Sequence, residues 1–122
     1  MRIISFLVIA LIIAIPFSSC EKEYFKPVQV DPNVPVSYKT DVEPLWAAKC
    51  MGSGCHGGSV PPNLSVGKSY ASLIEGLYVD TLNPAASLLM IKLNKDMPPG
   101  GLLPQPDRDK VQNWIKQGAK DN

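Results

Sequence analysis

Apolar residues along this chain form one continuous block followed by several spaced sets. The block runs from Ile3 to Phe17 and is relieved only by Ser5 and Pro16. It is short for a membrane-spanning helix, which takes about 20 apolar residues. With Met1 and Arg2 before it and Ser18-Ser19-Cys20 closing it, residues 1–19 have the layout of a secretory signal peptide. From Glu21 to Ser37, isolated valines are interspersed with Pro27, Pro32 and Pro35, with neither a helical nor an alternating period. Residues 20–37 are therefore expected to form a stiff, extended tether. The folded domain is expected over residues 38–122.

Within that domain the periodicity is helical. Val42, Leu45, Trp46 and Lys49 stand at i, i+3, i+4 and i+7 and predict a helix running into Cys50. Either Ser37 or Thr40 is suited to cap it, the latter with Glu43 three residues on. Pro44 is expected to bend this helix or to fix its first turn. A middle region offers Tyr70, Leu73, Ile74 and Leu77, then Asn83 as a cap, Pro84 at a first helical position, and a helix from Ala85 to Leu93. A last helix beginning near Pro106 sets Val111, Trp114, Ile115 and Gly118 on one face, with Gly118 either ending it or admitting a close neighbour. No segment alternates, so the expected fold class is all-α.

Composition narrows the functional classes. Only 19% of residues are charged and no run is rich in Lys or Arg, which argues against nucleic acid as a partner. A single histidine, His56, excludes any site that needs two imidazoles. Removing 19 of 122 residues leaves 103, and the loss of Arg2 reduces 12 basic side chains to 11 against 11 acidic ones. A neutral mature chain has no net charge with which to adhere to anionic lipid. The segment Phe17-Ser18-Ser19-Cys20 resembles the lipobox of bacterial lipoproteins, with Phe where Leu is commonest. That resemblance implies that Cys20 is acylated as the first mature residue and anchors the protein to a membrane, on the periplasmic side or at the cell surface. A non-cleaved anchor, or an ordinary signal with an incidental cysteine, likewise places the remainder outside the cytoplasm.

The densest chemistry lies in Cys50-Met51-Gly52-Ser53-Gly54-Cys55-His56. A structural zinc site wants four nitrogen or sulfur ligands, and this cluster supplies three. A catalytic Cys-His pair needs a third group to orient the base. A Cys50–Cys55 disulfide is natural in an exported chain but leaves the histidine unexplained. Two thiols can instead add to haem vinyl groups as thioethers, with the adjacent histidine under the iron. The segment resembles the attachment motif of c-type cytochromes, with four residues between the cysteines instead of the common two. Gly52 and Gly54 supply the freedom to loop out the extra residues.

Further along, Asp96-Met97-Pro98-Pro99-Gly100-Gly101 resembles the distal-ligand loop of class I cytochromes c, with Met97 standing 41 residues after His56. Prolines after Met97 limit the loop's conformations. On this resemblance Cys50 and Cys55 hold one covalent haem c, His56 is the proximal iron ligand and Met97 the distal one. Otherwise Met97 fills a core gap. Met51 lies inside the attachment loop, and Met90 falls in a predicted helix core. The stretch Gly57-Gly58-Ser59-Val60-Pro61-Pro62-Asn63-Leu64 resembles the family's post-motif loop, in which a proline carbonyl accepts the histidine Nδ1 proton; Pro61 and Pro62 are both candidates. Terminal helices bearing Trp46 and Trp114 resemble the crossing helices of the same fold, so the likeness covers Tyr38 to Asn122.

The function implied is one-electron transfer to redox partner proteins, a carrier's role rather than an enzyme's. A peroxidase-like or gas-binding haem with an open sixth position is one alternative, and a haem-stabilised binding module of a larger surface assembly is another. A domain of about 85 residues has a marginal core. Burying about 300–400 Å² of porphyrin would contribute about 8–10 kcal/mol as an upper bound. That matches the whole net stability of a small domain, so the chain without haem is expected to be unfolded or molten.

Overall fold

The computed structural model describes residues 30–122. The expected signal peptide, Cys20 and the first part of the expected tether lie outside the described residues. Four α-helices make up the frame: α1 (Glu43–Lys49), α2 (Ser69–Glu75), α3 (Leu88–Lys95) and α4 (Gln105–Lys116). A π-helical turn, Tyr38–Val42, leads directly into α1, and a 3-10 turn, Pro84–Ala86, precedes α3. Among the described residues there is no strand, and no helix is long and apolar enough to cross a membrane.

Pro44 explains the wide turn ahead of α1. It has no N–H to donate, and its ring would crowd the carbonyl four residues back. The Glu43 N–H instead donates to the Tyr38 carbonyl, five residues back, and α1 starts with proline in its first turn. Ser37 is the cap: its Oγ accepts from the Thr40 N–H at 3.3 Å, while its own N–H donates to Asp41 Oδ2 at 2.9 Å. Val42 and Trp46 are fully buried, Leu45 is half-buried and Lys49 is exposed, the gradation expected of one apolar face.

The middle of the chain departs from its periodicity in two places. Leu77, expected on the apolar face with Tyr70, Leu73 and Ile74, is 83% exposed because α2 ends at Glu75. The Leu77 and Tyr78 N–H groups turn back to the Ile74 and Leu73 carbonyls, a Schellman closure with Leu77 in the left-handed region at φ 57°. Glycine is required one position earlier, where a Cβ would collide with the Tyr78 ring and the Ser72 carbonyl. The second departure is at Ser87, which splits the expected Ala85–Leu93 helix. Ser87 is buried, and its Oγ accepts from the Asp80 N–H at 2.8 Å and donates to the Asp80 carbonyl at 3.1 Å. Asn83 caps nothing with its side chain, which donates to Asp80 Oδ2 at 3.2 Å instead.

The terminal helices meet through aromatic rings. Tyr38 lies 4.9 Å from Trp114 and 5.3 Å, edge-on, from Tyr70, measured between ring centroids. Trp46 Nε1 donates to Tyr38 Oη at 3.2 Å. Helix α4 starts with Pro106 in its first turn, as its sequence predicts, and buries Val111, Trp114 and Ile115. Gly118, at φ 99°, ends it in a second Schellman closure, after which the tail folds back over the start of the π-helical turn. Tyr70 Oη and Trp114 Nε1 donate to the Ala119 and Lys120 carbonyls. Asn122 accepts the Lys39 N–H at 3.0 Å on its carbonyl and the Tyr38 N–H at 2.9 Å on Oδ1, satisfying donors that a helix start leaves open.

The folded body begins earlier than Tyr38. Val36 is buried, and its N–H donates to Gln117 Oε1 at 2.9 Å, while Gln117 Nε2 donates to the Val34 and Pro32 carbonyls at 2.9 and 3.3 Å. The last residues of the expected tether are therefore docked on the end of α4.

Two consequences are measurable. Replacing the exposed, left-handed Leu77 by glycine removes about 1 kcal/mol of backbone strain at little cost in packing. Leu77→Gly should raise the urea midpoint, whereas Gly76→Ala should lower it. Burial pushes the Tyr38 phenol from 10.0 up to about 12. Since the folded state holds that proton more tightly, the associated stability is intact below pH 10 and is lost as pH rises through about 12. Unfolding titrations across that window should show a steeper alkaline loss in the wild type than in Tyr38→Phe. At neutral pH the variant should be less stable by about 1–2 kcal/mol, because Trp46 Nε1 loses its acceptor.

Candidate functional site

Helix α1 delivers Cys50 to the site, its N–H bonded to the Trp46 carbonyl at 2.8 Å. The chain then closes a small loop: the Cys55 N–H donates to the Gly52 carbonyl at 2.9 Å and the His56 N–H to the Cys50 carbonyl at 3.0 Å. Gly54, at φ 76°, makes that reversal without steric cost. The four intervening residues are thus gathered into a turn, and His56 returns to the end of α1. The Leu64 N–H donates to the His56 carbonyl at 2.7 Å and ties the following loop to the same point.

His56 Nδ1 lies 3.1 Å from the Pro62 carbonyl and 3.2 Å from that of Val60. Both neighbours are acceptors only, so Nδ1 carries a proton and donates it to them. Of the two prolines left open by the sequence, Pro62 supplies the carbonyl. Val60 adds a second acceptor that no residue pattern announces, because any backbone carbonyl can serve.

Cys50, His56 and Met97 line one open apolar cleft of about 220 Å³, with Trp46, Leu89 and Leu93 among its walls. An adjoining hollow of about 200 Å³ shares Cys50, His56 and Met97 and adds Cys55, Pro98 and Pro99. All four residues singled out at this site by sequence therefore border one continuous depression. Met97 is fixed from α3, whose Lys92 carbonyl accepts its N–H at 2.9 Å and that of Asp96 at 3.1 Å. Met90, 2% exposed, belongs to the core of α3, and Met51 is exposed.

Tyr78, Leu88 and Lys92 also line the cleft without having been singled out beforehand. Leu88 and Lys92 share an i, i+4 face with Leu89 and Leu93 alongside, a signal present in the α3 pattern once its start at Leu88 is known. Among the described residues no group of three or more His, Cys, Asp or Glu side chains is placed to hold a metal ion. A zinc site built on Cys50, Cys55 and His56 thus lacks the required geometry.

Both cysteines are free thiols, Cys50 buried and Cys55 exposed, and burial pushes the Cys50 thiol up. In a haem-free chain that holds this fold, a neutral alkylating reagent should modify Cys55 several-fold faster than Cys50, because thiolate is the reactive form, whereas the unfolded or molten chain expected from its size should react at equal rates. Peptide mapping over a time course distinguishes this from equal rates.

Comparison of the chain with family models, with curated proteins and with solved structures returns no match.

Proposed function

We propose that this chain is a membrane-anchored monohaem c-type cytochrome that carries single electrons. Cys50 and Cys55 would attach the haem as thioethers, His56 and Met97 would supply its iron ligands, and acylated Cys20 would hold the protein to a membrane outside the cytoplasm. The observation that carries this reading is the convergence on one apolar depression of an imidazole with Nδ1 protonated, a thioether and two free thiols. Those donors suit a haem in kind, since imidazole and thioether are haem-iron ligands and thiols add to its vinyl groups.

When bound, the haem iron supplies a centre that gains and loses one electron. The chain does the rest. The Pro62 carbonyl holds the His56 ring in one tautomer, and the bonds from the Lys92 carbonyl fix the start of the Met97 loop. Thioether ligation favours the reduced metal and raises the potential. Leu64, Leu89 and Leu93 keep water from the apolar walls, so the change of charge meets little solvent rearrangement. With His56 and Met97 both bound to the iron, no position would remain for a substrate, which favours a carrier's role with redox proteins as partners.

The distal ligand is the most exposed part of the proposal. Ferric wild type should show the weak long-wavelength charge-transfer band of methionine ligation, and Met97→Ala should lose it. Reduced wild type should bind carbon monoxide slowly and the variant rapidly. Rapid binding by the wild type, with no such band, contradicts the carrier reading and favours an open, peroxidase-like or gas-binding haem.

A further inference from the structure

The peptide group between Pro62 and Asn63 is hydrogen-bonded at both ends. Its carbonyl faces His56 Nδ1 at 3.1 Å, and its N–H donates to Ser72 Oγ at 2.8 Å. The two bonds act on one resonance-coupled amide, so an acceptor at the N–H draws electron density toward the carbonyl oxygen and strengthens it as an acceptor. The Val60 carbonyl, the other neighbour of Nδ1, has no such support. Its peptide is completed by Pro61, which has no N–H.

We infer that Ser72 is a positioning residue for His56, acting through the Pro62–Asn63 peptide to orient the imidazole and to set how strongly Nε2 donates electrons. The inference rests on His56 being an axial iron ligand. Ser72 belongs to α2 and stands outside the lining of both hollows, so its effect reaches the site only through this peptide. The platform behind it is well fixed. Leu73 is fully buried, and Glu43 Oε1 ties α2 to α1 by accepting from Ser69 Oγ at 2.7 Å and the Gly67 N–H at 2.8 Å. Asn63 Oδ1 accepts the Ser65 N–H at 3.0 Å, which holds the loop in register with the start of α2.

The sign follows from the electron density. A stronger bond at Nδ1 makes Nε2 a stronger donor, which favours the ferric state and lowers the potential. Removing the Ser72 hydroxyl should do the reverse.

The test uses the full-length, haem-loaded protein as wild type, Ser72→Ala and Ser72→Thr, with reduction potential, the His56 Nδ1 proton resonance and Asn63 amide exchange as readouts. Ser72→Ala should raise the potential by about a threefold change in ferric over ferrous preference, ~30 mV at 59 mV per decade. It should also move the Nδ1 resonance upfield and speed Asn63 exchange, and Ser72→Thr should restore all three. Faster Asn63 exchange with unchanged potential and resonance would overturn the role of Ser72 while leaving the haem reading intact. A wild-type chain that carries no haem, or whose His56 shows no iron ligation, overturns both.

Discussion

The buried hydrogen bond from Trp46 Nε1 to Tyr38 Oη joins the two parts on which this molecule depends. On one side of it, Tyr38 packs against Trp114 and Tyr70 and welds the first helix to the last. On the other, Trp46 forms part of the cleft wall beside Cys50 and His56. The folding core and the candidate site are thus built from the same side chains. Burial of the pair explains why the phenol keeps its proton far into alkaline pH. It also explains why a cleft can stay open in so small a domain: its back wall is held by packing that does not involve the cleft itself.

Much of this was legible in the chain, for identifiable reasons. The faces of α1 and α4 follow from local periodicity, because apolar residues at helical spacing must share one stripe. The grouping of Cys50, Cys55 and His56 is set by adjacency, and Met97 follows from the rigid loop after it. What escaped was set by specific side-chain partners rather than by hydropathy spacing. Leu77 has the right spacing for a buried position, but the close approach of Tyr78 to Gly76 ends the helix first. Ser87 interrupts α3 because Asp80 claims its hydroxyl. The docking of Val36 and Val34 on Gln117, and of residues 37–39 on Asn122, joins opposite ends of the described chain by polar bonds that no hydropathy pattern records.

The small size of the domain gives the cleft its meaning. A core of this extent leaves little surplus over conformational entropy, yet the wall contributed by Leu64, Leu89, Leu93 and Trp46 is apolar and open. An apolar ligand seated there would add to that core while being held by His56 and Met97. Under the proposed function, the Cys50 and Cys55 thiols would link that ligand covalently and keep it in place through every redox cycle.

The most direct measurement is the intact mass, under denaturing conditions, of the mature chain produced in a host that attaches haem to exported proteins. The account predicts that wild type retains one haem covalently and that Cys50→Ser/Cys55→Ser retains none. A wild-type chain of unmodified polypeptide mass at the Cys50–His56 segment would contradict it.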